Sequence, residues 1–194
     1  GSEPLEPTKN PTTKLGDLYI LGDHRLVCGD STNPKDVEYL LDGNQPELMV
    51  TDPPYGVEYD ASWRTKVKLN GVEKGGSVKT GKVLNDDNAD WTEAWKLSPA
   101  HVCYVWHAAG TLSCVVAKSL EDSGFELKPQ IIWSKKNYPM GRGHYHVAHE
   151  PCWYGTRKGK SAEFIGGRKQ TSVWDIGIDK RFEGSNHSTQ KPVE

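Results

Sequence analysis

Four adjacent residues, Asp52-Pro53-Pro54-Tyr55, have the side chains and carbonyls that could do chemistry. They follow the nearly continuous apolar run 47–51, which predicts a buried strand with Asp52 at its carboxyl end. The two prolines fix φ and remove two backbone donors, so their carbonyl oxygens remain as acceptors held in set directions. A carboxylate, rigid carbonyls and an aromatic ring suit a planar molecule that carries an amino group.

An exocyclic amine of a nucleobase fits this site, because its hydrogens can meet the acceptors while its ring stacks on Tyr55. The lone pair of such an amine is delocalised into the ring, so the nitrogen is a poor nucleophile. Two acceptors would favour a pyramidal nitrogen and stabilise the positive charge that develops during attack. A base inside a duplex must first be flipped out. The structural alternative is a strand followed by a proline-stiffened turn.

The elements around this segment predict an α/β fold with a mainly parallel sheet. Helices are predicted from the N-cap Asn33 to Gly43, from about Asp90, and over 111–124. Ligands bind beyond the carboxyl ends of the strands in such sheets, and Asp30 and Asp52 stand at two such ends. The predicted strands are 18–21, 25–30, 47–51, 101–108, 125–136 with an interruption at Pro129, and the start of 150–159.

The remaining composition excludes some classes of protein. No apolar run reaches the length of about 18 residues that a membrane helix needs, and the N-terminus lacks a signal-peptide layout. The four cysteines form no C-x-x-C pair, which favours reduced thiols and a cytoplasmic protein. Residues 1–14 indicate an expression scar and a linker. The long polar segment 56–90 predicts a mobile loop.

Basic residues are concentrated in two regions although the net charge is −2. Residues 62–82 contain six Lys or Arg against one acid, and residues 128–169 contain nine against two. This distribution favours a face that binds a polyanion, whereas solvated loops are the ordinary alternative.

The segment TDPPY after an apolar strand resembles the catalytic motif of DNA amino-methyltransferases, which methylate adenine N6 or cytosine N4 using S-adenosylmethionine. The chain is similar, from Leu15 to Glu194, to the permuted group of that family, in which the catalytic half precedes the cofactor half. TDPPY and TQKP are the most specific parts of the resemblance. The supporting segments are LGDHRLVCGDST, LNDDNADWTEAW, MGRGHYHVAHEPCWYG and NHSTQKPVE. The resemblance implies a Rossmann-like methyltransferase sheet with a target-recognition insertion.

The resemblance also implies catalytic roles for the four residues of the motif. Asp52 and the carbonyl of Pro53 would accept from the target amine, and Tyr55 would stack on the flipped base. Pro54 completes the rigid turn between these groups.

Cofactor contacts are implied at two places. Asp30 and Ser31 would lie near the adenine of S-adenosylmethionine, and Gln190 and Lys191 near its amino-acid end. A helix-start carboxylate and a solvated tail are the respective structural alternatives. The family's glycine-rich cofactor loop is not found, because no glycine pair follows an apolar strand and opens a helix. We therefore expect an incomplete sheet, a truncated cofactor-side segment at 187–194, and a fragment that is inactive alone.

The expected organisation places the catalytic half at 15–136 and the target-recognition region at 137–186. Basic side chains in and beside the latter region could contact phosphates or base edges, with salt-sensitive binding. The predicted DNA contacts are Lys135, Lys136, Arg142, Arg157, Lys158, Lys160, Arg168 and Lys169.

The segment 144–152 contains side chains that could ligate a metal, namely His144, His146, His149, Glu150 and Cys152. A closed zinc site normally brings two ligand pairs, and only one cluster exists here. We therefore expect no metal and interpret the segment as a polar strand and loop near DNA.

Together these features predict an S-adenosylmethionine-dependent DNA methyltransferase that acts on adenine N6 in a specific sequence. The Asp of the motif, where some members of the family carry Ser, favours adenine. Cytosine N4 is the closest alternative. A non-catalytic nucleic-acid-binding module is the other alternative, favoured by the missing glycine loop and disfavoured by the intact motif. The implied partner is double-stranded DNA; a cognate restriction endonuclease and a homodimer stay open, and no membrane is expected.

Overall fold

The computed structural model describes residue 10 and residues 12–58, 85–135 and 144–176. In chain order its elements are β1 (Leu18–Leu21), β2 (His24–Val27), α1 (Pro34–Leu41), β3 (Leu48–Thr51), α2 (Thr92–Leu97), β4 (Val102–Trp106), α3 (Leu112–Asp122), β5 (Phe125–Leu127), β6 (Ile131–Ser134), β7 (His149–Arg157) and β8 (Val173–Trp174). The predicted α/β class is confirmed. Most of segment 56–90 lies outside the described residues, so its prediction as a mobile loop stays untested.

Within the described residues, the central sheet has six strands, in the order β3-β4-β7-β6-β8, with β5 also paired to β7. β3 pairs parallel with β4, and β6 pairs parallel with β8. β7 is antiparallel to β4, β5 and β6. Every strand of this sheet except β7 therefore runs in one direction, which confirms the mainly parallel prediction and adds one reversed strand.

β5 and β6 lie end to end along the same side of β7. Leu127 is opposite Gly155 and Ile131 is opposite Cys152, so the ladder continues after a short break. Pro129 lies in that break, because a proline has no N–H to donate to a ladder. The interruption predicted at Pro129 is confirmed.

β1 and β2 form a separate antiparallel hairpin. Gly22 occupies the turn of this hairpin with φ +65°. After β2 the chain continues into α1, whose N-cap Asn33 accepts a hydrogen bond from the N–H of Lys35. Arg25 ties the hairpin to the end of α1 by donating to the carbonyls of Leu40 and Tyr39 at 2.9 and 2.8 Å. The sequence placed Asp30 and Asp52 at ends of one sheet. This is wrong, because β2 and β3 belong to different sheets.

One buried hydrophobic cluster of the described residues lies on the face of the central sheet that α2 and α3 cover. Cys103 and Val105 of β4 face this side and are fully buried. They pack with Trp95 of α2 and with Leu120 of α3, which fill the space between helix and sheet. This packing holds β3 and β4 in place, and therefore fixes the carboxyl edge of the sheet. No helix in the described part of the chain is long and apolar enough to cross a bilayer.

Candidate active site

The carboxyl edge of the central sheet brings together residues from three separate segments. Asp52 follows β3, and Lys135 follows β6 at the same edge. β7 runs in the opposite direction, so its second residue, Glu150, also stands at this edge. The predicted position of Asp52 beyond the end of a strand agrees with this geometry, but the prediction that this strand is buried is wrong, because Leu48 and Val50 of β3 are 50% and 63% exposed.

Asp52 and Tyr55 are joined directly. The Tyr55 hydroxyl donates to Oδ1 of Asp52 at 2.7 Å, while Asp52 is exposed and the Tyr55 ring is partly buried. Burial raises the pKa of the Tyr55 hydroxyl strongly, and the Asp52 carboxylate raises this pKa further. Tyr55 therefore keeps its proton and remains a hydrogen-bond donor.

Glu150 lies beside the same hydroxyl. Its Oε2 is 3.5 Å from the Tyr55 oxygen, and its Oε1 forms an ion pair with the ammonium of Lys135. The side chains of Lys135 and Glu150 are only 19% and 20% exposed, so this pair is largely screened from solvent. The Lys135 ammonium also lies 5.2 Å from the centre of the buried Trp133 ring, a cation–π distance.

The backbone after the motif is fixed by one buried carboxylate. Oδ1 of Asp86, which is 3% exposed, accepts from the N–H groups of Tyr55 at 2.9 Å, Gly56 at 3.0 Å and Val57 at 3.4 Å. Gly56 has φ +75°, and a Cβ on it would lie 2.9 Å from the backbone nitrogen of Ala89. The turn therefore needs both the carboxylate and a glycine.

The two proline carbonyls differ in their partners. The buried indole of Trp91 donates to the carbonyl of Pro54 at 3.1 Å. Among the described residues, none donates to the carbonyl of Pro53. The edge thus presents an exposed carboxylate, a carbonyl that can accept a hydrogen bond, and an aromatic ring. The backbone that carries them is fixed by its hydrogen bonds to Asp86 and Trp91. This set can bind the N–H hydrogens of a planar amine.

Asp30 and Ser31 lie in the turn between β2 and α1. Oδ1 of Asp30 accepts from the N–H and the hydroxyl of Thr32 at 2.8 and 2.7 Å. These bonds, the side-chain one first, lower the pKa of Asp30. Such bonds are typical of a helix-start carboxylate, and the cofactor role of both residues stays a prediction. Gln190 and Lys191 lie outside the described residues.

Lys135 and Lys158, two of the predicted DNA contacts that the structure describes, lie at opposite edges of the sheet. Lys158 and Lys160 are exposed, but they follow the far end of β7, on the opposite edge of the sheet from Asp52. β7 has nine residues, so the two edges are about 26 Å apart at roughly 3.3 Å per residue. Arg168 and Lys169 are exposed in the segment before β8. Lys136 and Arg142 lie outside the described residues.

Arg157 is a correction to the predicted DNA contacts. Its guanidinium donates to the backbone carbonyls of Trp95, Ser98, Ala100 and Ser123, and it lies 4.2 Å from the centre of the Phe125 ring. Four of its five N–H groups are therefore used inside the fold. Arg157 joins the ends of α2 and α3 to β7, and this is a structural role.

Replacing Arg157 by Met is expected to lower the free energy of unfolding by about 3 kcal/mol, because several inward-facing carbonyls lose a charged donor. Urea unfolding of Arg157→Met measures this loss. The control is Lys158→Met, one residue further along and exposed, which is expected to change stability by less than about 0.5 kcal/mol. Normal stability of Arg157→Met with weaker DNA binding would restore the original prediction for this residue.

The five candidate metal ligands in segment 144–152 could share a metal ion only if their side chains lay close together. In the described part of the chain, no group of three or more His, Cys, Asp or Glu side chains could hold a metal ion. Glu150 is instead the partner of Lys135, and Cys152 is buried in β7.

Sequence reasoning did not identify Asp86, Trp91 or the role of Glu150. Asp86 and Trp91 lie in LNDDNADWTEAW, which was noted only as a supporting segment of the resemblance. An acid and a tryptophan shortly before a helix are a weak signal, because neither residue reveals which distant backbone it contacts.

Comparison with known proteins gives matches among solved structures only. No family model and no curated protein matches the chain. It is similar to the crystal structure of the M1.HpyAVI–SAM complex, with 17% identity, a TM-score of 0.49, and coverage of 81% of this chain and 66% of that one. The chain is also similar to the crystal structure of M1.HpyAVI, with 16% identity, a TM-score of 0.44, and coverage of 73% of this chain and 61% of that one. The chain thus spans two-thirds or less of the length of each.

Proposed function

We propose that this chain carries the catalytic part of an S-adenosylmethionine-dependent DNA methyltransferase that acts on the N6 amine of a flipped-out adenine. The observation that carries the proposal is the exposed Asp52 carboxylate beside the Tyr55 ring, on a turn fixed by Asp86. This arrangement offers acceptors to the hydrogens of an exocyclic amine and a surface for its ring.

The chemistry follows from these acceptors. Asp52 and the Pro53 carbonyl accept from the amine, which favours a pyramidal nitrogen with an available lone pair. As the nitrogen attacks, it gains positive charge, and the Asp52 carboxylate stabilises that charge. Methyl transfer would be a direct in-line displacement without a covalent enzyme intermediate, in which the nitrogen–methyl bond forms as the sulfur–methyl bond of the cofactor breaks and the amine then loses a proton to water. The residues of this chain would contribute positioning and electrostatics.

The cofactor would supply an electrophilic sulfonium methyl group. Among the described residues, Asp30 fits a role in holding it, because its Oδ1 is used by Thr32 while Oδ2 remains for a ligand N–H or O–H. Ser31 adjoins it. The proposed organisation remains a catalytic half at 15–136 followed by a target-recognition region at 137–186. Among the described residues, the proposed DNA contacts are Lys158, Lys160, Arg168 and Lys169.

The identity of the methylated nucleoside tests the proposal. The protein at its full natural length is incubated with duplex DNA and S-adenosylmethionine, and the DNA is hydrolysed and analysed by mass spectrometry. We expect N6-methyladenine, with none formed when S-adenosylmethionine is omitted. N4-methylcytosine alone would reassign the target base. No methylated nucleoside, together with intact DNA binding, would favour the non-catalytic module.

A further inference from the structure

The Tyr55 hydroxyl has one hydrogen and two carboxylates within reach. It donates to Asp52 at 2.7 Å, and Oε2 of Glu150 lies 3.5 Å from the hydroxyl oxygen. A single O–H can serve only one of these acceptors well. Because burial keeps the hydroxyl protonated, its hydrogen can point either to Asp52 or to Glu150.

This choice affects the acceptor that the proposed reaction needs. A hydrogen bond from Tyr55 withdraws electron density from Asp52 and weakens it as an acceptor for the target amine. Turning the hydrogen towards Glu150 would leave the Asp52 carboxylate at full strength, and would keep the hydroxyl satisfied beneath the stacked base.

Lys135 makes Glu150 a fixed acceptor. The ammonium holds Oε1, so the second oxygen of the carboxylate is the one that lies near Tyr55. The Lys135 ammonium is itself held over Trp133, which is 2% exposed. Glu150 therefore cannot turn away without leaving a partly buried ammonium unpaired, which is costly.

We propose that Glu150, held by Lys135, is a positioning residue that takes the Tyr55 hydroxyl hydrogen when Asp52 accepts from the target amine. The proposal rests on the proposed function and adds to it. It also changes the role of Lys135 from a phosphate contact to a residue that acts through Glu150.

A double-mutant cycle between Glu150 and Tyr55 tests this. In Glu150→Gln the amide oxygen is expected to turn to Lys135, so the amide N–H₂ faces Tyr55 and the hydroxyl stays on Asp52. We expect kcat to fall about tenfold, with KM for DNA within about twofold. In the Tyr55→Phe protein, which has no hydroxyl, the same substitution is expected to change kcat by less than about twofold.

The controls separate positioning from structure. Glu121→Gln, at an exposed carboxylate of α3, should leave kcat unchanged. Lys135→Met supplies a second cycle and should likewise have no added effect in the Tyr55→Phe protein. Equal losses from Glu150→Gln with and without the hydroxyl would overturn the proposal, as would a changed salt dependence of DNA binding in Lys135→Met. These outcomes leave the proposed function standing, which fails separately if the unsubstituted protein forms no methylated nucleoside from duplex DNA and S-adenosylmethionine.

Discussion

Replacing Asp52 by Ala is expected to lower kcat for methyl transfer about a thousandfold, while the affinity for duplex DNA stays within about threefold. The carboxylate is the only charged acceptor in the motif, and it acts mainly when positive charge develops on the nitrogen. Its loss should therefore raise the barrier of the chemical step and leave binding of the ground state nearly unchanged.

Stability and an isosteric variant serve as controls for this substitution. Asp52 is exposed, so Asp52→Ala should unfold within about 1 kcal/mol of the unsubstituted protein. Asp52→Asn keeps one acceptor oxygen without the charge and should have an intermediate rate. Single-turnover measurement of methyl transfer at saturating DNA gives the chemical step directly. A rate for Asp52→Ala within tenfold of normal would reject Asp52 as the acceptor that stabilises the charge developing on the amine nitrogen.

The reversed strand explains how the acids of the site come together. Asp52 is reached at the end of β3, and Glu150 at the start of β7. Among the strands that the structure describes in this sheet, β7 alone runs against the others, so its first residues stand at the edge where those strands end. A β7 parallel to its neighbours would place Glu150 at the opposite edge, far from Tyr55.

Local patterns in the sequence were enough to predict most elements. α1 was predictable because Asn33, Pro34 and Gly43 mark its start and end, and the β5–β6 break because of Pro129. Local patterns cannot show pairing direction, so the reversal of β7 was not predicted. β8 has two residues, which is too short for any periodicity.

The same limit applies to the site. Asp52 was predictable because the end of an apolar strand is a local feature. The contacts that support it are distant in sequence, since Asp86 is 31 residues from Tyr55 and Glu150 is 95 residues from it. Arg157 was wrongly assigned to DNA because a basic cluster looks the same in sequence whether its members face solvent or backbone carbonyls.

Replacing Asp86 by Ala is expected to have the second large effect, lowering the free energy of unfolding by about 3 kcal/mol. Three backbone N–H groups lose their shared acceptor, and water must enter a site where Asp86 is 3% exposed. The turn that carries Tyr55 should loosen, so kcat should fall about a hundredfold from misplacement alone. Urea unfolding and methyl-transfer rates measure the two effects.

The neighbouring Asp87 makes a matched control, because it is exposed and adjacent. Asp87→Ala should alter stability by less than about 0.5 kcal/mol and leave the rate unchanged. Asp86→Asn retains an acceptor oxygen and should lose less than Asp86→Ala in both measurements. If Asp86→Ala folds with normal stability and rate, the carboxylate is not what holds the turn.

The two substitutions should differ in how they change kcat and KM. Asp52→Ala removes an acceptor from a turn that stays in place, so stacking on Tyr55 survives and the loss falls on kcat. Asp86→Ala moves the turn itself, so the base loses both its acceptors and its stacking surface, and KM for DNA should rise about tenfold as well. A rise in KM for Asp86→Ala but not for Asp52→Ala would therefore separate positioning of the turn from the electrostatic effect of the carboxylate.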